Sequence, residues 1–213
     1  MQIKENFDSY YIIFILYTYI MPKQFKFYVN NDIMFQCRLQ SVRCKADSNN
    51  GNRCKNNSVI GTSMCWRHLL KNKKVRIMNS QYDKGLFALD PTKEPNAVIF
   101  RTGQTIVKYE GEVLTTDEVE QRYGQYTAPY AAKVNNNNII DSSCLRGVGS
   151  LINHAPQARK NCRFSFPRDG GLQIKATKDI RNGRELFINY NEGNLPGEPR
   201  YRFNEAGVRH TTR

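Results

Sequence analysis

Gly147-Val148-Gly149-Ser150-Leu151-Ile152-Asn153-His154 and, further on, Asp179-Ile180-Arg181-Asn182-Gly183-Arg184-Glu185-Leu186-Phe187-Ile188-Asn189-Tyr190 are the stretches on which the reading of this chain turns. Neither is a metal-ligand run, a phosphate loop or a nucleophile elbow. They hold an Asn-His pair, a Gly-punctuated turn and an Asn-Tyr pair, in that order. Asn182-Gly183 between two apolar runs is the strongest short-range hairpin signal, because both residues tolerate left-handed backbone. It predicts a strand on each side.

Around these stretches most periodic segments are short. Val75 to Ile77, Gly85 to Leu89, Ala97 to Phe100, Thr105 to Tyr109, Ile139 to Asp141, Arg163 to Phe166, Leu172 to Ala176 and Glu185 to Tyr190 read as strands. Thr116 to Tyr123 reads as a helix with Thr116 as its N-cap, since Asp117, Glu118 and Glu120 suit the positive end of the helix dipole. Asn30-Asn31-Asp32, Asp47 to Gly51 and Asn135 to Asn138 read as turns or loops. The expected class is mainly β, with little helix and no internal repeat.

The 213 residues suffice for one ordinary domain plus a small module, and 39% hydrophobic with 24% charged residues is a globular composition. Net charge is +13, and the first 80 residues carry 13 Lys/Arg against 4 Asp/Glu. That N-terminal excess favours polyanions, with non-specific nucleic-acid contact as its expected expression. Tyr10 to Met21 is an apolar run of about a dozen residues, short of the ~20 that a spanning helix needs. It reads as a buried strand, or as residues upstream of a start at Met21. Four parts are expected: an aromatic and aliphatic segment over 1–35, a Cys/His module over 36–74, a larger domain over 75–192 and a basic tail over 193–213.

Cys44, Cys54, Cys65 and His68 lie within one short tract that ends in Cys-x-x-His. Four soft or borderline ligands at this spacing fit a closed tetrahedral zinc site, and the tract has too few large apolar residues to fold without a staple. Cys37 is a substitute ligand on this reading, and the competing reading is free thiols on a loop. Four protein ligands leave no open position, so the zinc is structural. The module resembles a short treble of Cys, Gly-x-x-Cys and Cys-x-x-His appended to diverse proteins of bacteria and large DNA viruses. The cluster speaks for an intracellular, reducing compartment.

The third part resembles SET-domain protein-lysine methyltransferases, in order, from Gly85 to Tyr190. Lys84-Gly85-Leu86-Phe87-Ala88 is similar to the family's opening strand-turn, and Tyr109-Glu110-Gly111-Glu112 to its Tyr-x-Gly-Glu. Ile140-Asp141, Asn153-His154, Asn161-Cys162 and Asn189-Tyr190 come next in the family's order. The resemblance implies a SET fold of short β-sheets with a knot-like C-terminal crossing, and S-adenosylmethionine as cofactor. It implies that Lys84, Gly85, Leu86, Phe87, Asn153, His154 and Tyr190 bind the cofactor, that Tyr190 and Tyr109 are catalytic, and that Tyr130 and Ile188 line a channel for the substrate lysine.

The chemistry implied is methyl transfer to the side-chain amine of a lysine in a protein, a histone tail among the candidates. It is an in-line displacement without an enzyme nucleophile, so orientation and exclusion of water do the work and no triad is needed. A compact member of this kind resembles viral or bacterial ones, so the nucleus or a host nucleus is an implied location. Ala155 stands where many members have Ser, Ile188 where many have Phe or Tyr, and no cysteine follows Tyr190. Tyr201 or Phe203 is then the expected cover of the cofactor. The alternative is a catalytically inactive SET scaffold whose zinc module binds nucleic acid. The acidic residues Glu110, Glu112, Asp141 and Glu192 are expected to form a groove for a basic tail.

Overall fold

A computed structural model describes residues 23–29, 32–124, 126, 128–135, 137–167 and 170–192. The Tyr10 to Met21 run and the tail with Tyr201 and Phe203 lie outside them. Among the described residues the fold is mainly β. The strands are β1 (Lys23–Val29), β2 (Asp32–Leu39), β3 (Val75–Ser80), β4 (Asp83–Ala88), β5 (Val98–Phe100), β6 (Thr105–Lys108), β7 (Glu112–Leu114), β8 (Ala131–Lys133), β9 (Ile139–Asp141), β10 (Asn153–His154), β11 (Cys162–Ser165), β12 (Gln173–Ala176), β13 (Ile180–Arg181) and β14 (Phe187–Ile188). Two short helices, α1 (Trp66–Lys73) and α2 (Thr116–Tyr123), and a 3₁₀ turn at Val148–Leu151 complete it.

The pairings are small sheets folded around one core: β3 with β4, β5 with β13, β6 with β12 and β11, and β9 between β7 and β8. Their inward residues, Val75, Leu86, Ile106, Val107, Ile174, Ile180, Leu186 and Ile188 among them, form one buried apolar cluster. Burial of this apolar area at about 25 cal/mol per Å² is the main favourable term for such short strands. α2 is capped by Thr115, one residue earlier than expected: Glu118 N–H donates to its hydroxyl and the Glu118 carboxylate accepts from Thr115 N–H. A capping box satisfies two orphan donors where a cap at Thr116 would satisfy one.

β1 and β2 form an antiparallel hairpin that crosses the expected boundary at residues 35 and 36. Phe25 and Phe27 are buried against Tyr130 and Tyr123, which seats the hairpin on α2 and on the strand region after it. A disulfide joins Cys37 on β2 to Cys144, with Cα atoms 5.8 Å apart and a sequence separation of 107. Cys37 is therefore not a substitute metal ligand, because its sulfur is bonded elsewhere. The bond also departs from the reading of the cysteines as a reduced set.

The expected hairpin at Asn182-Gly183 is corrected. The turn is present, with Gly183 at φ +79°, but β13 pairs with β5 and β14 pairs with β10. The reason lies in the Asn182 side chain, whose amide donates to the carbonyls of Asp90, Lys93 and Glu94 and accepts from Asp90 N–H. These bonds pin the turn to the loop after β4 and send the chain into the core instead of back along β13.

Beyond this turn the chain makes its crossing. On one side, Ala88 N–H donates to Arg184 O and Leu186 N–H to Leu86 O, both at 2.8 Å. On the other side β14 runs parallel to β10, with Asn153 opposite Phe187 and His154 opposite Ile188. Ala155 N–H donates to Ile188 O and Asn161 N–H to Phe187 O, so the intervening loop straddles the strand. Residues 184–188 are thus hydrogen-bonded on both edges, by β4 and by 153–161.

Candidate functional site

The crossing places polar groups from four separate segments side by side. The Asn153 amide donates to Lys84 O at 3.0 Å and to Glu185 Oε1 at 2.9 Å. Ser80 Oγ donates to Glu185 Oε2 at 3.0 Å. Gly85 faces this carboxylate directly: a Cβ there would sit 2.2 Å from Glu185 Oε1 and 3.0 Å from Asn153 Nδ2. Only glycine lets the backbone come so close. Leu86 is fully buried beneath the site, while Lys84 and Phe87 are half-buried, Phe87 forming a β-bridge with Glu185. Glu185 and Ser80 are the members that sequence reasoning did not assign; Glu185 closely follows the Asn182-Gly183 turn, but nothing local marks its carboxylate as facing Asn153.

His154 and Tyr190 meet at the other end of β10. Tyr190 N–H donates to His154 Nδ1 at 3.1 Å, and the two rings stand edge to face at 5.4 Å. The Tyr190 hydroxyl donates to Ile152 O at 2.7 Å. Burial lowers the pKa of His154, holding the imidazole neutral. Ile188 is 1% exposed and belongs to the core under this pair.

Close packing accounts for the glycines that precede Asn153. A Cβ on Gly149 would lie 2.7 Å from Lys108 O, and one on Gly147 would lie 2.6 Å from Glu110 Cβ. The 3₁₀ turn therefore packs backbone to backbone on the β6 strand end, which aims Asn153-His154 at β14.

Tyr109 and Tyr130 form a second group. The Tyr109 hydroxyl donates to Tyr130 O at 2.8 Å, and its ring stands edge to face with Phe164. Burial pushes its phenol well above the ordinary range, so it stays protonated. The Tyr130 ring lies beneath the Arg146 guanidinium at 4.2 Å and edge-on to Phe25. Its backbone carbonyl also accepts from Ser142 N–H.

Of the four residues expected to form an acidic groove, Glu110 is exposed and the other three are paired within the chain. Asp141 is 0% exposed and accepts from Arg122, Tyr123 and the Ser143 N–H. Glu112 takes the same Arg122 guanidinium with both oxygens, and Glu192 pairs with Lys160. A fully buried carboxylate such as Asp141 needs such partners, whereas Glu112 and Glu192 are about one-third exposed and each pairs with a cation of the chain.

The Cys/His module gathers its four expected ligands. The donor atoms of Cys44, Cys54, Cys65 and His68 all lie within 4.8 Å of one another and all four residues are buried. Cys44 Sγ and Cys65 Sγ stand 3.5 and 3.3 Å from His68 Nδ1. Tetrahedral zinc with bonds of about 2.3 Å to sulfur and 2.0 Å to nitrogen calls for S···N separations near 3.5 Å, so the cluster fits. Cys65 N–H and Asn56 N–H point at the sulfurs of Cys44 and Cys54, where they would steady and orient thiolate ligands. Cys162, the remaining free thiol, is buried and pushed up to about 12.

Residues 83–191, just over half of the chain, match the family model described as the SET domain. The chain belongs to the SET-domain family. The chain is 31% identical over 99 residues to the histone-lysine N-methyltransferase ASHH2 of Arabidopsis thaliana, a match covering 43% of this chain and 6% of that protein. Two solved structures are similar: ctPRC2 in an autoinhibited conformation bound to S-adenosylmethionine, at TM-score 0.47 and 23% identity over 69% of this chain and 17% of that one; and a humanized mutant of the Chaetomium thermophilum Polycomb Repressive Complex 2 bound to the inhibitor GSK126, at TM-score 0.46 and 23% identity over 66% and 17%. The SET-domain protein thus spans a small part of the relatives it matches.

Proposed function

We propose that this SET-domain protein is a protein-lysine N-methyltransferase that uses S-adenosylmethionine and acts on a lysine of a protein, a histone tail foremost. The observation that carries the reading is the meeting of Asn153, His154 and Tyr190 with the Lys84–Phe87 strand across the threaded segment. The relative named as a histone-lysine methyltransferase supports the choice of acceptor. A histone substrate goes with a nuclear location, in the producing cell or in a host.

S-adenosylmethionine would supply a methyl group activated on a sulfonium. The residues present suit it chemically: the Glu185 carboxylate and Lys84 carbonyl are acceptors for its cationic groups, and Gly85 lets its strand lie close against that carboxylate. Lys84, Gly85, Leu86, Phe87, Asn153 and His154 form the cofactor wall on this reading. A lysine amine has an ordinary pKa of about 10.4 and attacks only when neutral. Tyr190 directs its lone pair on this reading: the phenol is oriented by its bond to Ile152 O, and its oxygen is of the type that accepts from an amine. Tyr109 acts through Tyr130, whose carbonyl it holds; Tyr130 and Ile188 shape the lysine channel, Ile188 as bulk behind the phenol. Orientation of this kind contributes up to about 7 to 11 kcal/mol to a displacement. Zinc at Cys44, Cys54, Cys65 and His68 is structural.

The test is to incubate the purified chain with labelled S-adenosylmethionine and mixed histones, beside Tyr190→Phe and His154→Ala. Label is expected in a histone with the parent and not with either variant. Transfer that survives both substitutions would overturn the site assignment, and absence of cofactor binding by calorimetry would favour an inactive scaffold.

A further inference from the structure

Residues 41–74 carry eight Lys/Arg against one acidic residue, Asp47. Among the described residues only one of the eight, Lys74, is in a salt bridge, with Asp90. The other seven face solvent, and five of them, Arg43, Arg53, Lys55, Arg67 and Lys71, line a groove of about 980 Å³ that reaches down to Cys54 and His68, with the amides of Asn49, Asn50, Asn52 and Asn56 between them. A concentration of unneutralised cations costs stability through self-repulsion and is relieved by a polyanion.

Two of these cations are fixed in advance. Arg43 donates from Nε to Cys54 O at 2.9 Å and from Nη2 to Arg53 O at 3.0 Å; Arg53 answers from Nε to Cys44 O at 3.2 Å and from Nη2 to Arg43 O at 3.0 Å. The two guanidinium groups therefore clamp the same pair of segments that present the metal ligands, and each keeps Nη1 for an outside acceptor. A planar, pre-oriented guanidinium suits phosphate better than a mobile ammonium does. Beside the groove stands Trp66, 41% exposed, with the Arg67 guanidinium 5.8 Å from its ring. An indole left open to water at the start of a helix, next to cations, is the arrangement on which an unpaired base stacks.

We propose that the Cys/His module is a nucleic-acid-binding surface, which grips the phosphate backbone of a single strand through Arg43, Arg53, Lys55, Arg67 and Lys71 and stacks a base on Trp66. An acidic peptide would use the charges but not the indole. None of the residues that line the groove belongs to the crossing at Asn153 and Tyr190, and the proposal does not depend on methyl transfer.

Trp66 is the chain's only tryptophan, so its fluorescence reports this surface alone. Titrate the full, metal-loaded chain with a 20-nucleotide single strand, with the matching duplex and with polyglutamate, from 50 to 200 mM salt. The single strand is expected to quench Trp66. Its affinity should fall with a log–log salt slope near −3.5 for five cations, about 100-fold over that range. Lys55→Glu with Arg67→Glu should weaken it at least about tenfold at unchanged zinc content, and Trp66→Ala, followed by anisotropy, should weaken the single strand more than the duplex. No binding at 50 mM salt, binding indifferent to the charge reversals, or equal quenching by polyglutamate would each overturn the proposal. Loss of methyl transfer without loss of nucleic-acid affinity would leave it intact.

Discussion

The backbone N–H of Tyr190 donates to Nδ1 of His154 at 3.1 Å, joining residues 36 apart in sequence. An Nδ1 that accepts cannot carry a proton, so this bond selects the tautomer protonated at Nε2 and opposes the imidazolium. Burial acts in the same direction.

His154 should therefore titrate below the ordinary histidine value of about 6.5. Between that value and its lowered folded one, the unfolded chain binds a proton that the folded chain refuses. Folding is stabilised above about 6.5, weakens as pH falls through the window and levels off below the folded pKa. Ring-proton NMR will resolve it, since the chain has three histidines; a midpoint at or above 6.5 would contradict the bond.

Gly85→Ala should damage both the fold and the cofactor wall. Its Cβ would meet a carboxylate already held by Asn153 and Ser80, and such overpacking costs about 1 to 3 kcal/mol. Thermal denaturation and calorimetric titration with S-adenosylmethionine are the measurements, with at least a tenfold loss of affinity expected. A variant like the parent in both would show that Glu185 moves freely.

Tyr190→Phe and Tyr109→Phe should separate. The first is expected to lower the methyl-transfer rate constant about 100-fold, as loss of one oriented hydrogen-bonding group at a reacting centre does, and to cost about 1 kcal/mol of stability through the lost bond to Ile152 O. The second removes a buried donor to Tyr130 O, so it should cost about 1 kcal/mol of stability and a smaller part of the rate. Single-turnover kinetics beside denaturant unfolding distinguishes them; equal rates for parent and Tyr190→Phe would count against the phenol.

The metal centre should hold one equivalent of zinc. Cys65→Ser removes a buried ligand at the start of α1 and should abolish tight binding. Metal analysis with chelator-dependent circular dichroism checks this. Retention of zinc by Cys65→Ser would point to a different ligand set.

Much of the architecture was legible from local chemistry. Ile139–Asp141 forms with the expected bounds, and the strands at Thr105 and Gln173 differ from expectation by one residue at an end. The cap of α2 shifts from Thr116 to Thr115, because adjacent threonines look alike until the Glu118 side chain chooses between them. The β1–β2 hairpin and α1 were not foreseen. Each depends on a surface supplied elsewhere: Tyr123 and Tyr130 for the buried phenylalanines, and a metal-ligand cluster for a helix of eight residues.

Sequence alone determined the order of the family's motifs, the Cys44, Cys54, Cys65 and His68 ligand set and most of the short strands. Spacing, turn chemistry and side-chain type over a few residues are sufficient for these. Tertiary structure decided that Asn182-Gly183 would redirect the chain instead of closing a hairpin, that Cys37 would bond Cys144, and that Asn153 would find Glu185. Backbone and side-chain groups buried by the collapse of the core must find partners wherever the packing brings them, and no local signal names a partner tens of residues away.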